Sequence, residues 1–235
     1  MVARDSKKKY SIVIPFYNEE DSVKPLYKSV KKAMDGLEKP YEMIFVNDGS
    51  TDKTVPLLEK IASNDLNVVL VHTKERSGQT KALKLGFEKA SGDVIVSMDG
   101  DMQNDPADIP GLVKELDKGY DFVCGWRYPR HDPISKKIAS KFGNLVQGNV
   151  FKSHLHDISC TLRAYTKETI KVLPLKREGA HRFIPYLLVM KSKRPSEVKV
   201  HHLARQYGKT KYGFSRSFIV AYDFLTLIFN SKTWL

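Results

Sequence analysis

The first 126 residues repeat one pattern that few folds accommodate. Short apolar runs rich in β-branched residues occur at 11–16 (SIVIPF), 42–47 (EMIFVN), 67–72 (NVVLVH), 93–98 (DVIVSM) and 120–124 (YDFVC), and stretches of helical spacing separate them. Runs that are apolar at nearly every position read as strands covered on both faces, which is the condition of a parallel sheet. Parallel neighbours need crossover connections, here the intervening helices, and such crossovers are right-handed. A sheet of this kind collects ligands outside the carboxyl ends of its strands. The residues that follow each run are therefore the candidate site.

Those residues carry chemistry. Behind the fourth run, SMDGDMQNDP places Asp99, Asp101 and Asp105 within seven positions. An extended backbone would point Asp99 and Asp101 the same way. Carboxylates held that close repel unless a cation lies between them. With Gln103 as a further oxygen ligand, the set suits Mg²⁺ or Mn²⁺, hard ions that also keep diphosphate oxygens in their shell. An ordinary turn is the competing reading, since turns also use Asp and Gly. Asp105, ahead of Pro106, reads as a helix N-cap. VIPFYNEE places Pro15, Tyr17, Asn18 and Glu19 at the end of the first run, and VNDGSTD places Asp48 at the end of the second. A carboxylate there can accept hydrogen bonds from a base whose face an aromatic such as Tyr17 covers. NDGSTD is at the same time a helix start, with the helix running through Leu57, Leu58 and Ile61.

Charge divides the chain. Residues 1–126 hold 18 Lys and Arg against 21 Asp and Glu, and residues 127–235 hold 21 against 6, so the two parts carry about −3 and +15. The basic part calls for an anionic partner: nucleic acid, an anionic membrane surface or a phosphorylated substrate. Cys124 and Cys160 are too few for a disulfide scaffold and read as buried thiols of a reducing compartment. MVARDSKKKY has no apolar stretch behind it long enough for a signal peptide. Beyond Trp126, a polar loop (RYPRHDPISKK) leads to helical spacing at Ile138, Phe142, Leu145, Val146 and Val150. A strand-like DISCTLRAY follows, then a short helix over 181–189 and a strand PSEVKVHH. The last apolar segment is interrupted by Arg216 and Asp223 and is shorter than the roughly 20 residues of a membrane span. It reads as an interfacial or a core helix, and Phe214, Phe218, Tyr222, Leu225 and Phe229 at helical spacing beside a basic lobe favour the interfacial one.

VIPFYNEE, VNDGSTDKT, SGQTKAL and DGDMQNDP, in that order, resemble the inverting glycosyltransferases of family 2. DISCTLRAY, HRFIP and RQYGKTKYGFSR are similar to the polyprenyl-phosphate group within it, that of dolichol-phosphate mannose synthase and the undecaprenyl-phosphate sugar transferases. The resemblance implies an α/β chain of GT-A type, a mostly parallel central sheet flanked by helices. It implies a nucleotide-sugar part over 1–126, an acceptor and phosphate part over 127–213 and a membrane-interface helix over 214–235. It assigns the nucleotide to Pro15, Tyr17, Glu19, Asp48, Arg76, Gln79, Asp99 and Gly100, and the metal, Mg²⁺ or Mn²⁺, to Asp99, Asp101 and Gln103. Arg127, Arg205, Lys209 and Lys211 are the phosphate ligands it implies, and Asp101, Asp157, Arg182, Arg205 and Lys211 the catalytic set. Asp157 and Arg163 match positions near sugar and acceptor, with a structural ion pair as their alternative, and a lone His181 is more often structural.

The expected reaction moves a hexose from a nucleotide diphosphate sugar to a polyprenyl phosphate at the cytoplasmic face of a membrane, with the protein peripheral as the sequence stands. The likeness of the second half to the undecaprenyl-phosphate branch favours UDP over GDP. A lipid phosphate is already ionised near neutral pH and needs no general base. A family 2 enzyme with a hydroxyl acceptor would instead need a carboxylate from Asp132, Asp157, Glu168, Glu178, Glu197 or Asp223. A non-catalytic nucleic-acid-binding module fits less well, because acidic strand ends repel phosphate and no exposed aromatics interleave with the charge.

Overall fold

The computed structural model describes residues 9–128, 155–204, 215–230 and 233–235. Its strands are β1 (Tyr10–Phe16), β2 (Tyr41–Asn47), β3 (Val68–His72), β4 (Val94–Ser97), β5 (Phe122–Arg127), β6 (Arg163–Thr166) and β7 (Pro195–Val200). They form one sheet in the order β3-β2-β1-β4-β6-β5-β7. The helices are α1 (Val23–Asp35), α2 (Thr54–Ala62), α3 (Gln79–Lys89), α4 (Ile109–Leu116), α5 (Lys167–Lys171), α6 (Ile184–Met190) and α7 (Ser215–Phe229).

The first four strands pair in parallel, as their apolar runs predict. β6 is antiparallel to both of its neighbours and lies between β4 and β5, so the sheet is mixed at this point. Successive residues of β1 point to opposite faces. Ile12 and Ile14 join a core with Leu26, Val30, Leu112 and Val113 from α1 and α4, while Val13 joins a second core with Leu83 and Phe87 of α3 and Leu187 of α6. Each of these buried side chains contributes about 1.5–3 kcal/mol of apolar burial. α3 crosses β1 closely at Gly86, where a Cβ would run into the Val13 side chain.

Three expectations shift. β3 is an edge strand and is not covered on both faces: Val69 and His72 are exposed. Only the last three residues of DISCTLRAY are strand, where β6 begins, because residues 155–162 turn aside to make side-chain contacts described below. The helix expected over 181–189 begins as a 3₁₀ turn at Ala180–Phe183 and continues as α6. The helical spacing at Ile138 to Val150 lies outside the described residues. Both cysteines are buried free thiols, as expected, with burial pushing each up to about 12.

At the edge opposite the strand ends that collect the motifs, one carboxylate ties three elements together. Glu42 accepts from Ser11 Oγ (2.6 Å), Ser91 N and Oγ (both 2.8 Å) and Lys9 Nζ (3.0 Å). Burial alone would raise its pKa, but these donors outweigh burial and hold it below the ordinary value. A depressed native pKa contributes stability above the ordinary glutamate range, and that stability is lost as the pH falls through it. Glu42→Gln should therefore cost about 1–3 kcal/mol at neutral pH. In urea melts from pH 7 down to pH 3 the gap to the unaltered protein should shrink with acidity, and a constant gap would contradict the assignment.

Candidate active site

A cavity of about 460 Å³ opens at the carboxyl ends of β1, β2 and β4. Pro15, Tyr17, Glu19, Asp48, Arg76, Gln79, Asp99 and Gly100, the residues expected to contact a nucleotide, all line it, and Asp101 joins them. Ser77 and Gly78 of the same 76–79 loop line it too, as does Glu178, one of the acids open to a hydroxyl-acceptor enzyme.

The two motifs behind β1 and β2 clasp each other. Asn18 adopts φ 51°, a left-handed conformation that asparagine tolerates. Its Oδ1 accepts from Thr51 N (2.7 Å), and its N–H donates to Ser50 Oγ (3.0 Å). Glu20 Oε2 accepts from Lys53 N (2.9 Å), and Glu19 N donates to Thr54 Oγ1 (2.8 Å). Ser50 and Thr51 thus fix the loop at the end of β1, and it is Asp52 that accepts from the Thr54 N–H at the start of α2 (2.9 Å).

Asp48 is almost fully buried and its carboxylate is engaged on every side. Oδ1 accepts from Ser77 N (2.7 Å), Ser77 Oγ (2.8 Å) and Thr73 Oγ1 (3.3 Å), and Oδ2 accepts from Gly78 N (3.0 Å). It holds the 73–78 loop over the cavity. The Arg76 guanidinium then lies 4.2 Å from the centre of the Tyr17 ring, a cation–π contact at the mouth.

β4 ends at Ser97, and the chain turns through Gly100 and Asp101 with Met102 at φ 62°. Asp99 and Asp101 come together through this turn, not through the extended backbone their spacing suggests. Gly100 permits it: a Cβ there would meet Phe16 and the Pro15 carbonyl, and the Gly100 carbonyl accepts from Ser22 Oγ (2.6 Å) at the start of α1. Burial, then the Asp101 charge, pushes Asp99 up to about 6, against the opposing pull of Thr161, Arg163 and Arg127. Gln79 Nε2 donates to Asp99 Oδ1 (2.8 Å). Gln103 is not part of the cavity wall; its backbone N–H supports Asp101 Oδ1 (3.1 Å). Asp105 is the expected cap, accepting from Ala107 N (2.9 Å).

The donor set fits a hard divalent cation. Asp99 is raised by its burial first and by the Asp101 charge second, so the two carboxylates repel when nothing lies between them. No group of three or more His, Cys, Asp and Glu side chains gathers among the described residues. Such a pair suits an ion that draws its other oxygens from a diphosphate.

The basic residues fall differently from expectation. Asp157 pairs with Arg127 and not with Arg163: Arg127 Nε and Nη2 form a fork on its two oxygens (2.7 and 2.9 Å). Arg163 is buried and donates to the carbonyls of His181 (3.3 Å) and Ile158 (2.8 Å), leaving its Nε without a partner. His181 is buried against Thr80 Oγ1 (2.7 Å), a structural place. Arg182 donates to Asp223 (3.4 Å). Arg205, Lys209 and Lys211 lie outside the described residues.

Comparison with known proteins follows the same lines. Residues 11–173 match Glycosyl transferase family 2. Dodecaprenyl-phosphate galacturonate synthase of Rhizobium johnstonii is 41% identical over 224 residues, covering 93% of this chain and 66% of that protein. Undecaprenyl-phosphate 4-deoxy-4-formamido-L-arabinose transferase of Salmonella choleraesuis is 36% identical over 222 residues, covering 94% and 68%. The chain spans about two thirds of the length of these relatives. Among solved structures, glucosyl-3-phosphoglycerate synthase from Mycobacterium tuberculosis with Mn²⁺, UDP and glucosyl-3-phosphoglycerate superposes with a TM-score of 0.73 at 22% identity, over 94% of this chain and 80% of that one. The same enzyme with Mn²⁺ and UDP-glucose gives 0.70 at 19% identity, over 93% and 77%. At that identity the likeness shows a shared fold, the GT-A arrangement of a mostly parallel sheet flanked by helices. On its sequence match, the chain belongs to glycosyl transferase family 2.

Proposed function

We propose that the protein transfers a hexose from a nucleotide diphosphate sugar, preferably a UDP-sugar, to a polyprenyl phosphate with inversion at the anomeric carbon. The observation that carries this reading is the Asp99–Asp101 pair in a nucleotide-sized cavity beside Tyr17 and Arg76. The names of the two polyprenyl-phosphate relatives support the acceptor class.

The nucleoside lies against Tyr17 and Arg76, with Pro15 and Glu19 completing the wall, and the diphosphate reaches Gly100 and the two aspartates. A Mg²⁺ or Mn²⁺ held by Asp99 and Asp101 supplies Lewis-acid neutralisation of the leaving diphosphate. The acceptor phosphate oxygen attacks the anomeric carbon from the face opposite that diphosphate. A new C–O bond forms as the bond to the diphosphate breaks, giving a polyprenyl phosphosugar and a nucleoside diphosphate. No proton has to be removed. Among the described residues four of the five carboxylates of the second half are accordingly paired with basic side chains, Asp157 with Arg127, Glu168 with Lys171, Glu197 with His156, and Asp223 with Arg177 and Arg182, and the fifth, Glu178, accepts from the Thr80 N–H. Arg127, oriented by Asp157, Arg182, Arg205, Lys209 and Lys211 bind the phosphates, arginine by its planar fork.

Helix α7 exposes Tyr222, Leu225 and Phe229, with Phe229 84% exposed, and we place this strip and the basic charge on an anionic membrane surface at its cytoplasmic face. The side chain of Phe218, and all of Phe214, lie outside the described residues. Among those residues no helix is long and apolar enough to cross a membrane. Glu178, half exposed in the cavity wall, keeps a hydroxyl acceptor as the second reading.

The direct test incubates the protein with Mg²⁺ or Mn²⁺, UDP- and GDP-sugars and a short polyprenyl phosphate. A glycolipid of the expected mass with inverted anomeric configuration supports the proposal. Transfer only to hydroxyl acceptors, lost in Glu178→Gln, would establish the second reading. Asp101→Asn should abolish Mn²⁺-dependent UDP binding and transfer, yet raise the melting temperature of the cation-free protein by removing a like charge. A lowered melting temperature would argue that the pair is not repulsive. Arg205→Ala and Lys211→Ala should each raise the polyprenyl phosphate concentration needed for half-maximal rate about tenfold or more; unchanged values would remove both from the phosphate site.

A further inference from the structure

Helix α7 carries a charge that the transfer chemistry does not use. Asp223 is only 4% exposed, next to Phe224 in a helix of mostly apolar residues. Its Oδ1 accepts from Arg177 Nη2 (2.8 Å) and its Oδ2 from Arg182 Nη1 (3.4 Å). Gly179, between the two arginines, allows this approach: at φ +93° it carries no Cβ, which would come within 2.8 Å of Asp223 Oδ2. Burying a carboxylate carries a desolvation penalty that an apolar residue of similar size avoids, so the ion pair is weak evidence of added stability. What it adds is direction, because it fixes where the 177–182 segment lies.

That segment reaches the cavity. Glu178 stands in the cavity wall, and its Oε2 accepts from Thr80 N (3.1 Å). Thr80 Oγ1, buried, accepts from Gly179 N (3.0 Å) and His181 N (3.4 Å). The residue before Thr80 is Gln79, the donor to Asp99. An unbroken series of polar contacts and short backbone links thus runs from α7 through the arginine segment and the first turn of α3 to a carboxylate of the candidate metal pair. The other face of the same helix exposes Tyr222, Leu225 and Phe229.

Resting on the reading of the cavity as a nucleotide-sugar site, we infer that Asp223 is a positioning residue for the donor. It fastens α7 to Arg177 and Arg182, so that Glu178 and Gln79 stand where the nucleotide sugar meets Asp99. Asp223 touches no substrate and acts through the two arginines. The helix whose apolar strip faces outward therefore also sets one wall of the donor site.

The test titrates UDP, and in parallel GDP, into the full chain with Mn²⁺ by calorimetry, below the melting temperature of every variant. Asp223→Asn keeps the side-chain volume, removes the charge, and should weaken nucleotide binding about tenfold. Thr80→Val cuts the series at its other end without altering α7 and should weaken binding similarly, which keeps the inference testable should Asp223→Asn not fold. Leu227→Ala removes a buried apolar contact from α7 and should lower the melting temperature while leaving nucleotide affinity unchanged. Full affinity in Asp223→Asn or Thr80→Val would overturn the inference alone, as would losses in all three variants that simply follow their melting temperatures. No binding of either nucleotide to the unaltered protein would overturn the donor-site reading and this inference with it.

Discussion

The repulsion between Asp99 and Asp101 is the constraint around which the carboxyl edge is arranged. In a free chain both carboxylates would be hydrated and ionised, whereas here burial first and the Asp101 charge second push Asp99 up to about 6. Several neighbours hold it in place. Gly100 fits against Phe16 only because it lacks a Cβ, Ser22 fastens the Gly100 carbonyl to α1, and Gln79 donates to Asp99. Two arginines, Arg127 and Arg163, offset part of the charge without neutralising it. On the proposed reading the result is a site that a cation would complete, with part of the cost of assembling it met in folding.

Neighbouring motif residues hold the scaffold. Asp48 spends its carboxylate on the backbone and hydroxyls of the 73–78 loop, while Asn18 spends its amide oxygen on the Thr51 N–H and Glu20 its carboxylate on the Lys53 N–H. Residues that read as ligand contacts are thus also what keeps two loops at a fixed distance. A short strand-end motif can carry both tasks because backbone N–H groups left over at strand and helix ends need partners in any case.

This double use explains what was legible in the sequence. β1, β2 and β4 announce themselves because each is apolar on both faces, and their trailing residues meet in one cavity because a parallel sheet puts its strand ends on one edge. β6 announces itself as a strand within DISCTLRAY, but its pairing does not show. Its four residues pair with Val94–Ser97 and Phe122–Cys124, some 40 to 70 positions away, and no local periodicity encodes that choice. The ion pairs were hidden for the same reason. Asp157 lies six positions from Arg163 yet pairs with Arg127, since Arg163 enters the core inside β6 and finds main-chain carbonyls there. Gln103 misses the cavity because Met102, at positive φ, turns the chain away after Asp101.

The uneven charge of the chain fits the chemistry proposed for its two ends. On that reading the acidic edge would hold a cation, and a cation held there would draw in a diphosphate. A second anion must then approach the same few ångströms, and the field it meets is set by the basic second half. Carboxylates in that half would oppose the approach, so those among the described residues are spent on arginine, lysine, histidine or backbone partners. An acceptor that brings its own ionised oxygen makes a free carboxylate there both unnecessary and harmful.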